Sequence, residues 1–261
     1  MRAPAVVLAT AAAFLLPGVS LSGQIAQRVA NTNDGTIRIA YDLKPGVEVC
    51  DRGIRSGGER QMWRSNGRYD PGVCVTDVVE VDVEIRDGLV RGVEVVRPSE
   101  SPPADLRGQV ERLTAAEAVD FLLGLARTGA SPGAAEDAVF PATVADTEGT
   151  WRQLIELARD GSVHRSVRKN ALFWVGQEAA EAATAELSDV ALADDEEQEV
   201  REAAIFALSQ RPENQAIGSL IEIARTAEQA ESRKSAMFWL AQSEDERVVS
   251  FFEDILLGRN R

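Results

Sequence analysis

The sequence predicts a mainly α chain, a right-handed α-solenoid of helical hairpins preceded by a small disulfide-linked β module. Three observations predict it. Ala138-Val139-Phe140 returns as Ala171-Leu172-Phe173, Ala204-Ile205-Phe206 and Ala236-Met237-Phe238, at spacings of 33, 33 and 32 residues. A period of that size belongs to stacked hairpins, because one hairpin cannot bury its apolar face alone. Ahead of the repeats, apolar and polar residues alternate with the period of strands. The chain's two cysteines, Cys50 and Cys74, both fall in that leading part.

A second signal keeps the beat of the first. Leu122-x-x-Leu125-Ala126-Arg127 is echoed at Leu154-x-x-Leu157-Ala158-Arg159, Leu187-x-x-Val190-Ala191, Leu220-x-x-Ile223-Ala224-Arg225 and Phe252-x-x-Ile255. Each unit then has an A helix followed by a B helix, giving about four and a half hairpins over residues 112–261. In the third B helix, Val200, Ala203, Ala204, Ala207 and Leu208 follow an amphipathic stripe. Alanines in that stripe allow close helix approach. Thr114-x-x-Glu117 and Ser243-x-x-Glu246 read as capping boxes, and Asp160-Gly161-Ser162 as a C-cap followed by an N-cap. Pro132 and Pro212 suit first-turn positions. Pro141 instead falls inside a B helix, where a kink is expected.

At Val167-Arg168-Lys169-Asn170-Ala171 and Val200-Arg201-Glu202-Ala203-Ala204-Ile205-Phe206-Ala207-Leu208 the chain resembles HEAT repeats. It is most similar to the short type found in phycobilisome lyases, whose B helix reads roughly Val-Arg-x-x-Ala-x-x-Ala-Leu. The copy at Ser232-Arg233-Lys234-Ser235-Ala236 has serine in place of valine. The resemblance covers about residues 112–261. It implies architecture more than activity, since most proteins with such repeats are adaptors, scaffolds or regulatory subunits. It also implies that the recurrent Arg168, Arg201 and Arg233 pair with acids in adjoining turns. The other reading of these arginines is a basic stripe for a carboxylate-bearing partner.

Residues 1–22 read as an export signal: Met1-Arg2, an apolar core from Val6 to Leu16, and a small-x-small site at Ser20-Leu21-Ser22. The apolar stretch is too short for a membrane span, so none is expected after cleavage, and a periplasmic or secreted location follows. An uncleaved N-terminal anchor is the other reading. The formal net charge is −14, and loss of Arg2 with the signal makes it −15. That disfavours nucleic acid, which needs clustered Lys and Arg, and favours a basic or neutral protein partner. In an oxidising compartment Cys50 and Cys74 are expected to form a disulfide; the alternative thiolate metal site lacks histidine and CxxC spacing.

Residues 23–98 form the expected β module. Ile37, Ile39 and Tyr41 alternate with Arg38 and Ala40, as Val79, Val81, Val83 and Ile85 do with Glu80, Asp82 and Glu84. Asp87-Gly88 before Val90 and Val93 is a hairpin signal. The Gly- and Arg-rich stretch between the cysteines reads as loops, and residues 99–111, with Pro102-Pro103, as a linker.

Phe173, Phe206 and Phe238, with Phe140, lie on the flank of the B-helix stripe. Packing between successive B helices is the preferred reading, and an aromatic row gripping a partner is the other. Trp174 and Trp239 are expected in the core. Trp63, among Arg52, Arg55, Arg60, Arg64 and Arg68, keeps open a ligand or partner site. Residues 178–200 carry nine acids and no Lys or Arg, which reads as a solvated face. The single histidine, His164, reads as a capping residue rather than a general base, and no phosphate loop, nucleophile elbow or metal-ligand motif is found. The expectation is thus a non-enzymatic interaction scaffold or adaptor without cofactor or metal. The alternatives are a lyase-like or other enzyme subunit, or a structural component of the cell envelope.

Overall fold

A computed structural model describes residues 21–51, 53–56, 72–98, 100, 110–129, 131–177 and 181–259. The chain enters as α1 (Leu21–Asn31), whose Ile25 and Val29 recur four residues apart and are buried. No helix was expected in this part. The cleavage site read after Ser22 falls in the first turn of α1, and both buried residues lie beyond it.

Period-two alternation then produces β1 (Gly35–Asp42). Next come β2 (Val47–Cys50), β3 (Gly53–Ser56) and β4 (Cys74–Val75), a three-stranded sheet with β2 in the middle. The inter-cysteine stretch is therefore not all loop, since β3 is a four-residue strand too short to leave a periodic signal. Cys50 lies opposite Cys74 across the β2–β4 register, and the two are joined as a disulfide with a sequence separation of 24. Closing a loop of that size is worth about 3 kcal/mol through the unfolded state. Cys50→Ser with Cys74→Ser should lower stability by about that amount in denaturant melts. Two alkylatable thiols in the non-reduced protein would count against the bridge.

β5 (Val78–Arg86) and β6 (Leu89–Val95) form the hairpin signalled by Asp87-Gly88, with φ of 54° and 69° at the two turn residues. Positive φ at both central positions matches the right-handed strand twist, which is why Asp-Gly serves there. β7 (Val110–Arg112) runs parallel to β1 and completes a four-stranded sheet of order β6-β5-β1-β7. The linker read over 99–111 therefore ends early, because Val110 and Glu111 belong to the sheet. One sheet face is apolar, with Ile37, Ile39, Tyr41, Val79, Val81, Val83 and Ile85 buried. On the other, Arg38 is held by both oxygens of Asp82 at 2.7 Å and by Glu80 at 3.1 Å. Its hydrogen bonds to the Asp82 carboxylate are the main reason its pKa is raised.

The rest of the chain is helical. α2 (Ala115–Gly124) starts at the expected capping box, with Thr114 and Glu117 bonding each other's backbone N–H, and runs on into a π-helical turn at Leu125–Gly129. α3 (Pro132–Asp137) and α4 (Val139–Thr143) follow. Then come α5 (Thr150–Arg159), α6 (Arg165–Gln177), α7 (Ala182–Leu192) and α8 (Gln198–Ser209). α9 (Glu213–Thr226), α10 (Ala230–Leu240) and α11 (Glu246–Leu256) complete the chain. α5 packs on α6 and α7, α6 on α8, α7 on α8 and α9, α8 on α10, and α9 on α10 and α11. The contact between α6 and α8 is tight: a Cβ on Gly176 would meet the Ala207 carbonyl oxygen at 2.8 Å. At the far end α11 buries Val248 and Phe251 but leaves Val249, Leu256 and Leu257 exposed.

Two cap expectations shift. The cap of α11 is Asp245, which accepts from the Arg247 backbone, while Ser243 Oγ bonds Glu213 instead. Hydrogen bonds from Arg247 hold the Asp245 carboxyl down to about 2. Ser162 bonds back to Asp160 two residues earlier, and α6 begins only at Arg165.

Pro141 breaks its helix as expected: α3 and α4 part at Ala138, so the proline sits in the first turn of α4, where no N–H is needed. So short a helix leaves its carbonyls without intrahelical donors. Thr143 Oγ1 donates to Phe140 O at 2.7 Å, and the buried Tyr41 hydroxyl donates to Pro141 O at 2.8 Å. Further bonds join sheet and helices: Lys44 N to Val144 O, Asp146 N to Asp42 O and Ser131 N to Val90 O. α2 rests on β1, and α3 on β6. The boundary drawn at residue 112 does not separate two cores, because buried residues from the sheet and from the first helices belong to one cluster.

Candidate functional site

The B helices place the sequence's recurrent residues on two sides. On one side, the arginine position serves the turns between helices. Arg168, 2% exposed, donates to Ala158 O at 2.6 Å and pairs with Glu196 and, at 3.3 Å, Glu197 of the next turn. Arg201 reaches the carbonyls of Ala193 and Glu196, and Arg233 those of Ala227 and Glu228 at 2.7 Å each. All three tie the end of an A helix to the following B helix, satisfying carbonyls that a helix C-terminus leaves orphaned. Only Arg168 has carboxylate partners among these; the other two hold backbone. Neither Arg168 nor Arg201 is presented to solvent as a basic stripe.

On the other side runs a continuous aromatic row. Phe140 meets Trp174 at 4.8 Å between ring centroids, and Trp174 meets Phe173 at 5.0 Å. Phe173 stacks on Phe206 at 6.3 Å with planes 12° apart, and Phe206 meets Trp239 at 5.2 Å, which meets Phe238 at 5.0 Å. The row crosses α4, α6, α8 and α10. Its rings are half-buried except Phe238, which is 57% exposed. Trp174 and Trp239, expected in the core, are partly buried against it and belong to the row as well. Their place in the third unit is taken by Ala207, whose backbone lies close against Gly176. The phenylalanines therefore bridge B helices and face solvent at once, so the two sequence readings do not exclude each other.

At its α4 end the row opens into a groove of about 320 Å³ lined by Phe140, Pro141, Trp174, Asn170, Glu136 and Asp137, with Val93, Glu94 and Val95 of β6 as the opposite wall. Asn170 Nδ2 donates to Glu136 O at 3.0 Å and so fixes α6 against α3. Burial, and then the charge of Glu136, raises the Asp137 carboxyl above its ordinary value. Among the described residues no cation pairs with Glu94, Glu136 or Asp137.

The other candidates gather less. A hollow of about 550 Å³ beside Arg159 and Arg168 has its cations already matched, Arg159 by Glu186 at 2.9 Å. The acidic run is drawn into the same bonding, since Glu196, Glu197 and Glu199 pair with Arg168 and Arg165. His164 is exposed just before α6, with Nδ1 2.9 Å from Ser166 Oγ, and no carboxylate orients the ring among the described residues. Glu48, Cys50 and Cys74 lie close enough together to suggest metal ligands, but the two sulfurs are bonded to each other. Trp63 and its neighbours Arg52, Arg60, Arg64 and Arg68 lie outside the described residues, as does the side chain of Arg55. Arg211 had no place in the sequence reading; it is buried and bonds Thr184, Val175 O and Gln215. A lone arginine between helices carries no periodic signal that would single it out.

No family model matches the chain, and no curated protein matches its sequence. Among the described residues, no helix is long and apolar enough to cross a membrane.

Proposed function

We propose that this chain is an exported, non-enzymatic interaction protein, in which HEAT-like hairpins form a right-handed α-solenoid that holds a partner protein along its aromatic row. The observation that carries the reading is the row itself. Six rings from four helices form one surface, and its last member, Phe238, is an exposed large apolar side chain beside Trp239. Aromatic side chains are the residue types that dominate binding energy at protein interfaces, and contiguous exposure of them is uncommon on a surface without a partner. The alternation of A and B helices and the pairing of next-but-one helices support the solenoid. The disulfide and the apolar leader of the sequence support export to the periplasm or beyond it. The acidic charge makes nucleic acid a poor partner and a basic protein surface a good one.

The test separates the two roles of the row. Phe238→Ala should leave stability within about 0.5 kcal/mol of the parent, as exposed substitutions do. The same change should remove partner proteins retained by the parent on immobilised mature chain. Phe206→Ala, half-buried between Phe173 and Trp239, should cost about 2 kcal/mol, less than the 3–5 kcal/mol of a fully buried phenylalanine. Identical retained proteins for the parent and Phe238→Ala would overturn the reading.

A further inference from the structure

The groove at the α4 end of the aromatic row is bounded by an unpaired strand edge. β6 is the terminal strand of the four-stranded sheet. Val96 N donates to Glu80 O at 2.9 Å, which fixes the alternation of the β5–β6 pairing. Two-residue alternation then turns the backbone groups of Glu94 toward β5 and those of Val93 and Val95 away from it. Nearer the hairpin turn the same edge is covered, since Ser131 N donates to Val90 O at 2.9 Å. Among the described residues nothing bonds Val93 or Val95 from the open side. Beyond that edge lie the rings of Phe140 and Trp174 and the carboxylates of Glu136 and Asp137, with Glu94 on the strand itself.

We propose that this edge accepts an extended segment of a basic partner as a fifth strand, with an arginine or lysine of that segment seated over Phe140 and Trp174. The inference rests on the interaction-scaffold reading and specifies the partner's chemistry at one end of the row. Main-chain bonds to Val93 and Val95 would give affinity, as in other strand additions, and every second side chain would enter the groove. A cation there meets two aromatic side chains and carboxylates that have no counter-ion among the described residues, a pairing that favours Arg or Lys over any neutral side chain. It would also offset the burial and, after it, the Glu136 charge that together raise the Asp137 carboxyl. The charge of −14 would draw a basic segment toward the molecule from any side; the groove determines where it stays.

The probe is a fluorescein-labelled peptide of about ten alternating valines and arginines, the length of a long strand, beside its counterpart with glutamate for arginine. The arginine peptide should bind the full disulfide-bonded chain, the glutamate peptide about tenfold or more weakly, a difference of 1.4 kcal/mol. Amide exchange at Val93 and Val95 should slow when the arginine peptide is bound. Val95→Pro removes an outward N–H that the sheet does not use, so circular dichroism should be unchanged while binding falls about tenfold. Asp137→Asn should weaken binding, whereas Asp194→Asn in the distant acidic run should not. Phe238→Ala should leave peptide binding intact, so failure of the row as a partner surface is read separately. Failure of the arginine peptide to bind, equal binding by a folded Val95→Pro protein, or equal weakening by Asp194→Asn and Asp137→Asn would each overturn the proposal. Binding that appears only after residues 101–109 are exchanged for a Gly-Ser linker would also overturn it, because the chain's own segment would then be the occupant.

Discussion

Arg168→Ala should destabilise the protein by about 3–4 kcal/mol, near the lower end of what breaking a buried ion pair costs. The guanidinium is almost wholly enclosed and serves three acceptors at once: Ala158 O at the end of α5, Glu196 and Glu197. Its removal strands a carbonyl and leaves Glu196, whose side chain is 12% exposed, without its cation. Glu197 is half-exposed and can turn to water, which keeps the loss below the top of the range. In a chain of this size the change should lower the melting temperature by about 6–16 °C. Arg168→Lys should recover only part of it, because an ammonium cannot reproduce the fork. Arg233→Ala is the control: a partly exposed arginine that among the described residues bonds Ala227 O and Glu228 O should cost about 1 kcal/mol. Equal losses at the two positions would show that the carboxylates contribute nothing and that carbonyl capping alone matters.

Tyr41→Ala should cost about 3–5 kcal/mol, the range for deleting a large buried ring, and should do so in a single unfolding transition. Tyr41 has 0% exposure and sits on the sheet face that meets the first helices, with its hydroxyl on Pro141 O. That burial pushes the phenol above its ordinary pKa. Tyr41→Phe keeps the ring and loses the bond, and should cost about 1 kcal/mol. Circular dichroism followed at helix and sheet wavelengths checks the result. An unchanged helical melt beside a lowered sheet melt would mean that two units fold separately. By its period alone, with each hairpin held by its nearest neighbours, the region 112–261 is expected to fold without the β module. The structure instead attaches the first hairpin to the sheet through Tyr41, Lys44, Asp42 and Ser131. A fragment beginning at residue 112 would expose the faces of α2 and α4 that the sheet covers.

The helical part was legible because repetition multiplies a weak local signal. Ala-x-Phe and Leu-x-x-Leu, seen once, are ambiguous, but at a period of 32 or 33 they place α5 to α11 closely. The strands β1, β5 and β6 were legible from alternation, and their turn from Asp87-Gly88. α1 was not, because its apolar residues at Leu21, Ile25 and Val29 begin inside the stretch that reads as an export signal and its cleavage site. β7 was not, because three residues joining a sheet in parallel are recruited by a partner distant in sequence. The aromatic row was half legible. Four phenylalanines shared one repeat position, but only packing shows that Trp174 and Trp239 fill the gaps between them. The groove was illegible, since the edge position of β6 depends on strand order, which alternation does not encode.

The two ends of the helical stack are treated differently. At the entry the sheet closes the first hairpin with burial, backbone bonds and the Tyr41 hydroxyl. At the exit nothing among the described residues covers Val249, Leu256 and Leu257 of the last helix and its turn. In a structure where each helix leans mainly on its nearest neighbours, loss of one end does not pull the other with it. Thermal fraying therefore has a direction. It starts at α11 and works backward, and each helix lost uncovers the next, while the part joined to the disulfide-bearing region opens last. A partner gripping Phe238 and Trp239 would add contacts near α11, so its binding would tighten the helices from the side where, among the described residues, Val249, Leu256 and Leu257 stand exposed.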